Sequence, residues 1–214
     1  MRRYKHFHRK EKRQPSSRAI FIVKEILITW AEIVLVIFLA YFITDKTLLK
    51  SPVSSESMSP TLKLGDVIIV NKLAYEFSLP ARNDVIVYKQ AGREHSYYEI
   101  SRVIGLPGEK VRMTNGTIYI NDNPIEEKIN VPAIKNSGLA EDGVVLDNNE
   151  FFVLGDNRNK SEDSRFANVG NIIKSDIIGK AVATEKPFSF VSKLNLKENA
   201  VIEDDKTSSS IAKE

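Results

Sequence analysis

Val111-Arg112-Met113-Thr114-Asn115-Gly116-Thr117-Ile118-Tyr119-Ile120 decides the fold of this chain. Two runs of β-branched and aromatic residues flank an Asn-Gly pair, and Asn-Gly readily takes the two positive φ angles that a type I′ turn requires. The stretch therefore predicts an antiparallel hairpin. Asn115-Gly116-Thr117 also fits the glycosylation pattern, but turn chemistry accounts for it fully. Similar short runs lie on either side: Asp66–Val70, Asp84–Tyr88, Tyr98–Ile104 and Phe151–Leu154. They are rich in Val, Ile, Tyr and Phe and are punctuated by Gly, Pro, Asn and Asp, the pattern of a mostly β, antiparallel domain. Residues 132–149 are polar and read as an exposed excursion. No internal repeat is visible.

Upstream the character changes. Ile26 to Ile43 reads ILITWAEIVLVIFLAYFI, 18 residues with one charge, Glu32. At ~1.5 Å rise per residue this spans about 27 Å, the thickness of a bilayer's hydrocarbon core. A cleaved signal peptide has a shorter apolar stretch and a small-residue cleavage site after it, whereas Thr44-Asp45-Lys46 follows here. Nine of the 31 basic residues lie between Arg2 and Lys24, against one acid, Glu11. Basic flanks stay on the cytoplasmic side, so the expectation is a single-pass plasma-membrane protein with its amino terminus in the cytoplasm. A basic tail can also bind nucleic acid, but an apolar span directly after it argues for a membrane address and against a nucleic-acid partner. The expected organisation is a cytoplasmic tail at 1–25, an anchor at 26–43, a β domain at 44–192 outside the cytoplasm, and a disordered tail at 193–214. Glu32 lies near the cytoplasmic end of the span, where it can reach headgroups. The chain has no cysteine, which fits an exported domain without disulfides and equally fits many cytosolic proteins.

Three separated segments carry candidate chemistry: Ser55-Glu56-Ser57-Met58-Ser59-Pro60-Thr61-Leu62, Ile100-Ser101-Arg102-Val103-Ile104-Gly105-Leu106-Pro107-Gly108-Glu109, and Gly155-Asp156-Asn157-Arg158-Asn159-Lys160-Ser161-Glu162-Asp163-Ser164-Arg165. Singly, each reads as a strand entry, a strand ending in a turn, or a polar loop. Together, in order and spacing, they resemble the boxes of type I signal peptidases, and Asn83–Tyr88 resembles a further structural box of that family. The resemblance covers roughly residues 26–182, and a single anchor near the amino terminus is similar to the shorter, Gram-positive-type members.

The resemblance implies an antiparallel β signal-peptidase core tethered by one transmembrane helix, acting as a serine endopeptidase on secretory preproteins at the outer membrane surface. It places Ser57 as nucleophile and assigns the oxyanion hole to the Ser57 amide with the Ser55 hydroxyl. It gives Ser161 the task of orienting a base, Asp163 and Arg165 that of a supporting ion pair, and Asp156, Asn157 and Arg158 the shaping of the loop. Family members carry the base as a lysine at the position of Ser101. A serine hydroxyl cannot replace that lysine, and losing general-base assistance typically costs 10²–10⁴ in rate. Three substitutes come into question. His95 lies six residues before Ser101, about 20 Å along an extended strand. Lys89 ends a neighbouring strand, and Lys160 precedes Ser161 at a loop position that faces away from the nucleophile in the family. The alternative is a catalytically silent relative that binds extended peptides or assists assembly of surface proteins such as pili. A self-cleaving repressor also shares such a Ser/Lys core, but this chain has no DNA-binding segment. No metal cluster, phosphate loop or dinucleotide motif is present, so no metal or other cofactor is expected. The expected partners are signal peptides and membrane lipid, with a companion signal peptidase as a further one.

Overall fold

The computed structural model describes residues 17–90 and 98–197. The chain divides into two compact units, Met1–Asp45 and Lys46–Glu214. In the first, helix α1 (Ser17–Thr47) begins and runs for 31 residues through Asp45 into the start of the second. Its apolar side chains stand open, with Phe21, Trp30 and Val36 each more than 60% exposed. Among the described residues no helix is long and apolar enough to cross a membrane. Yet α1 is continuous, and its segment 26–43 carries one charge in 18 residues. Length and scarcity of charge are the physical requirements for a span.

The second unit contains strands β1 (Leu48–Pro52), β2 (Val67–Asn71), β3 (Val85–Tyr88), β4 (Glu99–Gly105), β5 (Lys110–Thr114), β6 (Thr117–Ile120), β7 (Asn123–Pro124), β8 (Val144–Val145), β9 (Glu150–Leu154), β10 (Ile172–Ile173), β11 (Ile177–Thr184) and β12 (Ser189–Phe190). Among the described residues one sheet runs β1-β2-β11-β3-β4-β9-β10, with β12 added to β11, and a second runs β7-β6-β5-β8. Every pairing between these strands is antiparallel. The hairpin forms with Thr114 opposite Thr117, and Asn115 and Gly116 adopt φ of 50° and 79°.

β3 is buried on both faces: Val85 and Val87 join a cluster with Met58, Leu62, Ile68 and Val70, while Ile86 and Tyr88 join Val103, Phe151 and Val153 on the other side. Such two-sided burial explains its unbroken apolar run. A third cluster, built on Ile104, Val111, Met113, Ile118, Phe152 and Leu154, welds the two sheets together.

Two expectations change, and two strands appear that the sequence pattern does not announce. Leu48–Pro52 is an edge strand whose Leu49 pairs with Val70. The stretch 132–149 is not a purely exposed excursion, because Ile134, Ala140 and Leu146 are buried in the third cluster. Its apolar residues are too widely spaced to show a period. β11, which the sequence pattern does not announce, sits between β2 and β3. Residues 193–197, expected in a disordered tail, are held to the domain, since Leu196 bridges Ile129 and the Lys197 amide donates to Lys128 O at 2.8 Å; the rest of that expected tail, 198–214, lies outside the described residues, as do 1–16.

Candidate active site

The loop between β1 and β2 is closed at its base by Val53 N to Asp66 O at 2.8 Å and Gly65 N to Val53 O at 2.9 Å. Met58 and Leu62, one helical turn apart, are fully buried and plug this loop into the core beneath it. Burying two such side chains stabilises by about 1.5–3 kcal/mol each. The residues just before Met58 are thereby held at the surface. Ser57 is half-buried, and its Oγ lies 2.9 Å from Ser55 Oγ. The Ser57 amide also points at the Ser55 hydroxyl, at 3.5 Å. The two groups assigned to an oxyanion hole therefore lie next to each other beside the Ser57 hydroxyl.

β9 ends in Leu154, and the loop that follows, opening at Gly155, grips the serine turn. Asn157 donates its amide to Ser57 O at 2.9 Å and its Nδ2 to Glu56 O at 3.2 Å. Any side chain at Gly155 would overlap Ser161 Cβ and come within 2.6 Å of Ser57 O and 2.7 Å of Ser161 Oγ. Ser57 and Ser161 thus approach the same bare Cα from two sides. The Ser161 hydroxyl donates to Asp163 Oδ2 at 2.6 Å, and Asp163 also receives the Gly155 amide and both Nε and Nη2 of Arg165 at 2.7 and 2.8 Å. Arg165 reaches on to Ser161 Oγ at 3.2 Å and Asn136 O at 3.0 Å. Asp163 and Arg165 are both sealed from solvent. Arg158 crosses in the opposite direction, bonding Gly155 O at 3.1 Å and pairing through both arms with Glu127, with Nη1 to Oε2 at 2.7 Å.

The second segment lies on β4, where alternate residues face opposite ways. Arg102 pairs with both oxygens of Asp156 and donates to Asn83 O at 2.9 Å. Thr61 donates a short hydrogen bond to the same Asp156, and Asn195 Nδ2 donates to Thr61 Oγ1 at 3.2 Å. Asp156 consequently joins all three sequence segments. Ser101 points the other way, is 2% exposed, and lies with its hydroxyl 3.4 Å from that of Tyr88.

An open cavity of about 250 Å³ adjoins Ser57, lined by Ser55, Glu56, Ser57, Gln90, Glu99, Lys160 and Glu162. Ser101 is not part of its wall. Lys160, expected to face away, lines it and places Nζ 3.6 Å from Glu56 Oε2. Lys89 is exposed and is not part of this wall. His95 lies outside the described residues. Among the described residues no cluster of three or more His, Asp or Glu could hold a metal ion. Thr61, Glu127 and Asn195 were not foreseen as site partners. Thr61 stood in the quoted segment, whereas nothing in the spacing of Glu127 or Asn195 marks them.

A family profile described as "Signal peptidase, peptidase S26" matches residues 27–184. The chain belongs to this signal peptidase family. A signal peptidase I from Leptolyngbya laminosa is 40% identical over 148 residues, covering 66% of this chain and 70% of that protein. Signal peptidase I P of Bacillus subtilis subsp. natto is 32% identical, covering 81% and 96%. A protein named inactive signal peptidase IA, from Staphylococcus aureus strain MRSA252, is 30% identical, covering 78% and 95%. Proteins named signal peptidase I and a protein named inactive signal peptidase IA thus both resemble the chain.

Proposed function

We propose that this member of the signal peptidase family is a serine endopeptidase that removes signal peptides from exported preproteins, with Ser57 as nucleophile. The carrying observation is the hydroxyl pair Ser55–Ser57 at 2.9 Å, on a turn whose carbonyl is clamped by Asn157 and which opens on a cavity. Preorganised donors aimed at the tetrahedral intermediate are worth ~3–4 kcal/mol each. The Ser57 amide and the Ser55 hydroxyl supply two such donors once a substrate carbonyl separates them. Asp163, braced by Arg165, fixes Ser161 against the serine turn, and Asp156 fixes Arg102 and Thr61. Substrate lies extended beside an edge strand, main chain to main chain, with small residues before the cut as at signal cleavage sites.

The reading includes the membrane. Segment 26–43 is the anchor, the basic tail stays in the cytoplasm, and the β unit works outside, with Ser57 only fourteen residues beyond Ile43. That short tether keeps the nucleophile near the bilayer surface from which a signal's apolar segment emerges. Purified full-length chain incubated with a preprotein tests the activity: cleavage abolished by Ser57→Ala supports it, and a preprotein left whole, or cut equally by Ser57→Ala, removes it.

A second reading rests on Ser101, buried against Tyr88 where the family's lysine is expected. It makes the chain a silent relative that holds extended peptides, as the inactive namesake from Staphylococcus aureus suggests. Signal-peptide binding that survives Ser57→Ala, without turnover by the native chain, favours it.

A further inference from the structure

Ser101 leaves β4 without an amine, yet the loop after β9 brings one to the serine turn from the other side. Lys160 shares the wall of the cavity of about 250 Å³ with Ser55 and Ser57. Its Nζ lies 3.6 Å from the carboxylate of Glu56, the residue directly before the serine. The backbone beneath it is fixed, since the amides of Lys160 and Ser161 both donate to Asn157 O, at 2.9 and 3.0 Å, while Asn157 holds Ser57 O and Glu56 O. Position 160 is therefore pinned to the very turn that carries the hydroxyl, and the side chain, 71% exposed, retains a mobile four-carbon stem. Among the described residues no other lysine, arginine or histidine lines this cavity.

We propose that Lys160 is the general base for Ser57, an amine delivered by the 155–165 loop in place of the one missing from position 101. This rests on the reading of Ser57 as nucleophile. In the first step Nζ takes the Oγ proton as Oγ bonds to the scissile carbonyl carbon, and the electron pair moves onto the carbonyl oxygen between the Ser57 amide and the Ser55 hydroxyl. Collapse breaks the C–N bond and the departing amine takes the proton from Nζ. A water molecule then repeats the route in reverse roles and frees the acyl group, so that peptide and water are the sole reactants.

The surroundings give this base a signature. Glu56 pairs with it, and Glu99 and Glu162 face the same cavity. Glu56 must release the amine before it reaches Ser57, so Glu56→Gln must raise cleavage at a fixed pH, whereas a merely structural Glu56–Lys160 bridge would lose activity on the same change.

Full-length chain in lipid vesicles, a preprotein substrate, and the variants Ser57→Ala, Lys160→Met, Lys160→Arg, Ser101→Lys and the double variant Lys160→Met with Ser101→Lys decide the matter. Expected is a loss of about 10²–10⁴ in kcat for Lys160→Met with KM little changed. Lys160→Arg gives no rescue because a guanidinium does not deprotonate, and adding Ser101→Lys to Lys160→Met restores cleavage. Since the side chain is exposed, an unchanged urea midpoint verifies that Lys160→Met folds. Native cleavage that needs Ser57 but is indifferent to Lys160→Met overturns the inference and leaves the peptidase reading standing. A native chain that cuts nothing, beside a Ser101→Lys variant that cuts, also overturns it, and silence of every variant defeats both.

Discussion

The Arg102 guanidinium meets both oxygens of Asp156, Nε to Oδ1 at 2.8 Å and Nη2 to Oδ2 at 2.7 Å, and both residues are shut off from solvent. This pair ties the strand carrying Ser101 to the loop that grips Ser57. Removing one partner strands the other as a buried charge, which costs about 3–5 kcal/mol. Asp156→Ala is accordingly expected to lower the urea-unfolding free energy by roughly that amount, far more than loss of the exposed Lys50–Glu185 pair in Glu185→Gln, which is expected to change it little. Equal effects from the two would show that Asp156 holds nothing together.

The Ser55 hydroxyl is expected to contribute to turnover and little to folding, because it is exposed and bonds across the serine turn. Loss of one oxyanion donor typically lowers kcat by about 10²–10³. Ser55→Ala should fall in that range in a preprotein-cleavage assay with its thermal midpoint intact, and a parallel fall in midpoint would reassign Ser55 to structure.

Gly155 leaves no room for a methyl group between Ser161 and the Ser57 carbonyl. Gly155→Ala forces the two segments apart, and overpacking of this kind costs typically ~1–3 kcal/mol. The expected result is a lower midpoint together with loss of cleavage, and a variant as stable and active as the parent would contradict the close approach.

Tyr75 donates to Asp84 at 3.0 Å, and burial, followed by the charge and hydrogen bond of Asp84, pushes its phenol well above the ordinary tyrosine range. A raised value in the folded state means that the folded chain holds this proton while the unfolded chain releases it above about pH 10. The associated stability is complete below that pH and declines above it. Urea midpoints at pH 8 and pH 11 should therefore fall further for the native chain than for Tyr75→Phe. An equal fall would show that the phenol titrates freely.

How much of this could be read from the sequence follows from what each feature depends on. The hairpin was legible because Asn115-Gly116 states its backbone angles locally. β11 was not, since Gly179, Ala181 and Ala183 have weak strand preference. Its place is dictated by a neighbour, because a side chain at Gly179 would collide with the Asn71 carbonyl. The serine turn was legible as a contiguous motif whose buried Met58 and Leu62 also fix its posture. The orientation of Lys160 was not, because a loop side chain turns toward whatever charge stands opposite. Here that charge is Glu56, about a hundred residues upstream in sequence and adjacent only after folding.

The hydrogen bond from Asn195 to Thr61 sets a limit on how far the carboxyl end can be trimmed. Leu194 packs on the core, Asn195 exchanges bonds with Asn130, and Leu196 pairs with Ile129, so these residues fasten the 128–130 strip beside the Thr61–Asp156 link. A protease that nicks behind Lys197 spares this fastening. One that cuts before Leu194 withdraws a donor from the threonine that braces Asp156, and so loosens the loop that grips the serine turn from a point far away along the chain.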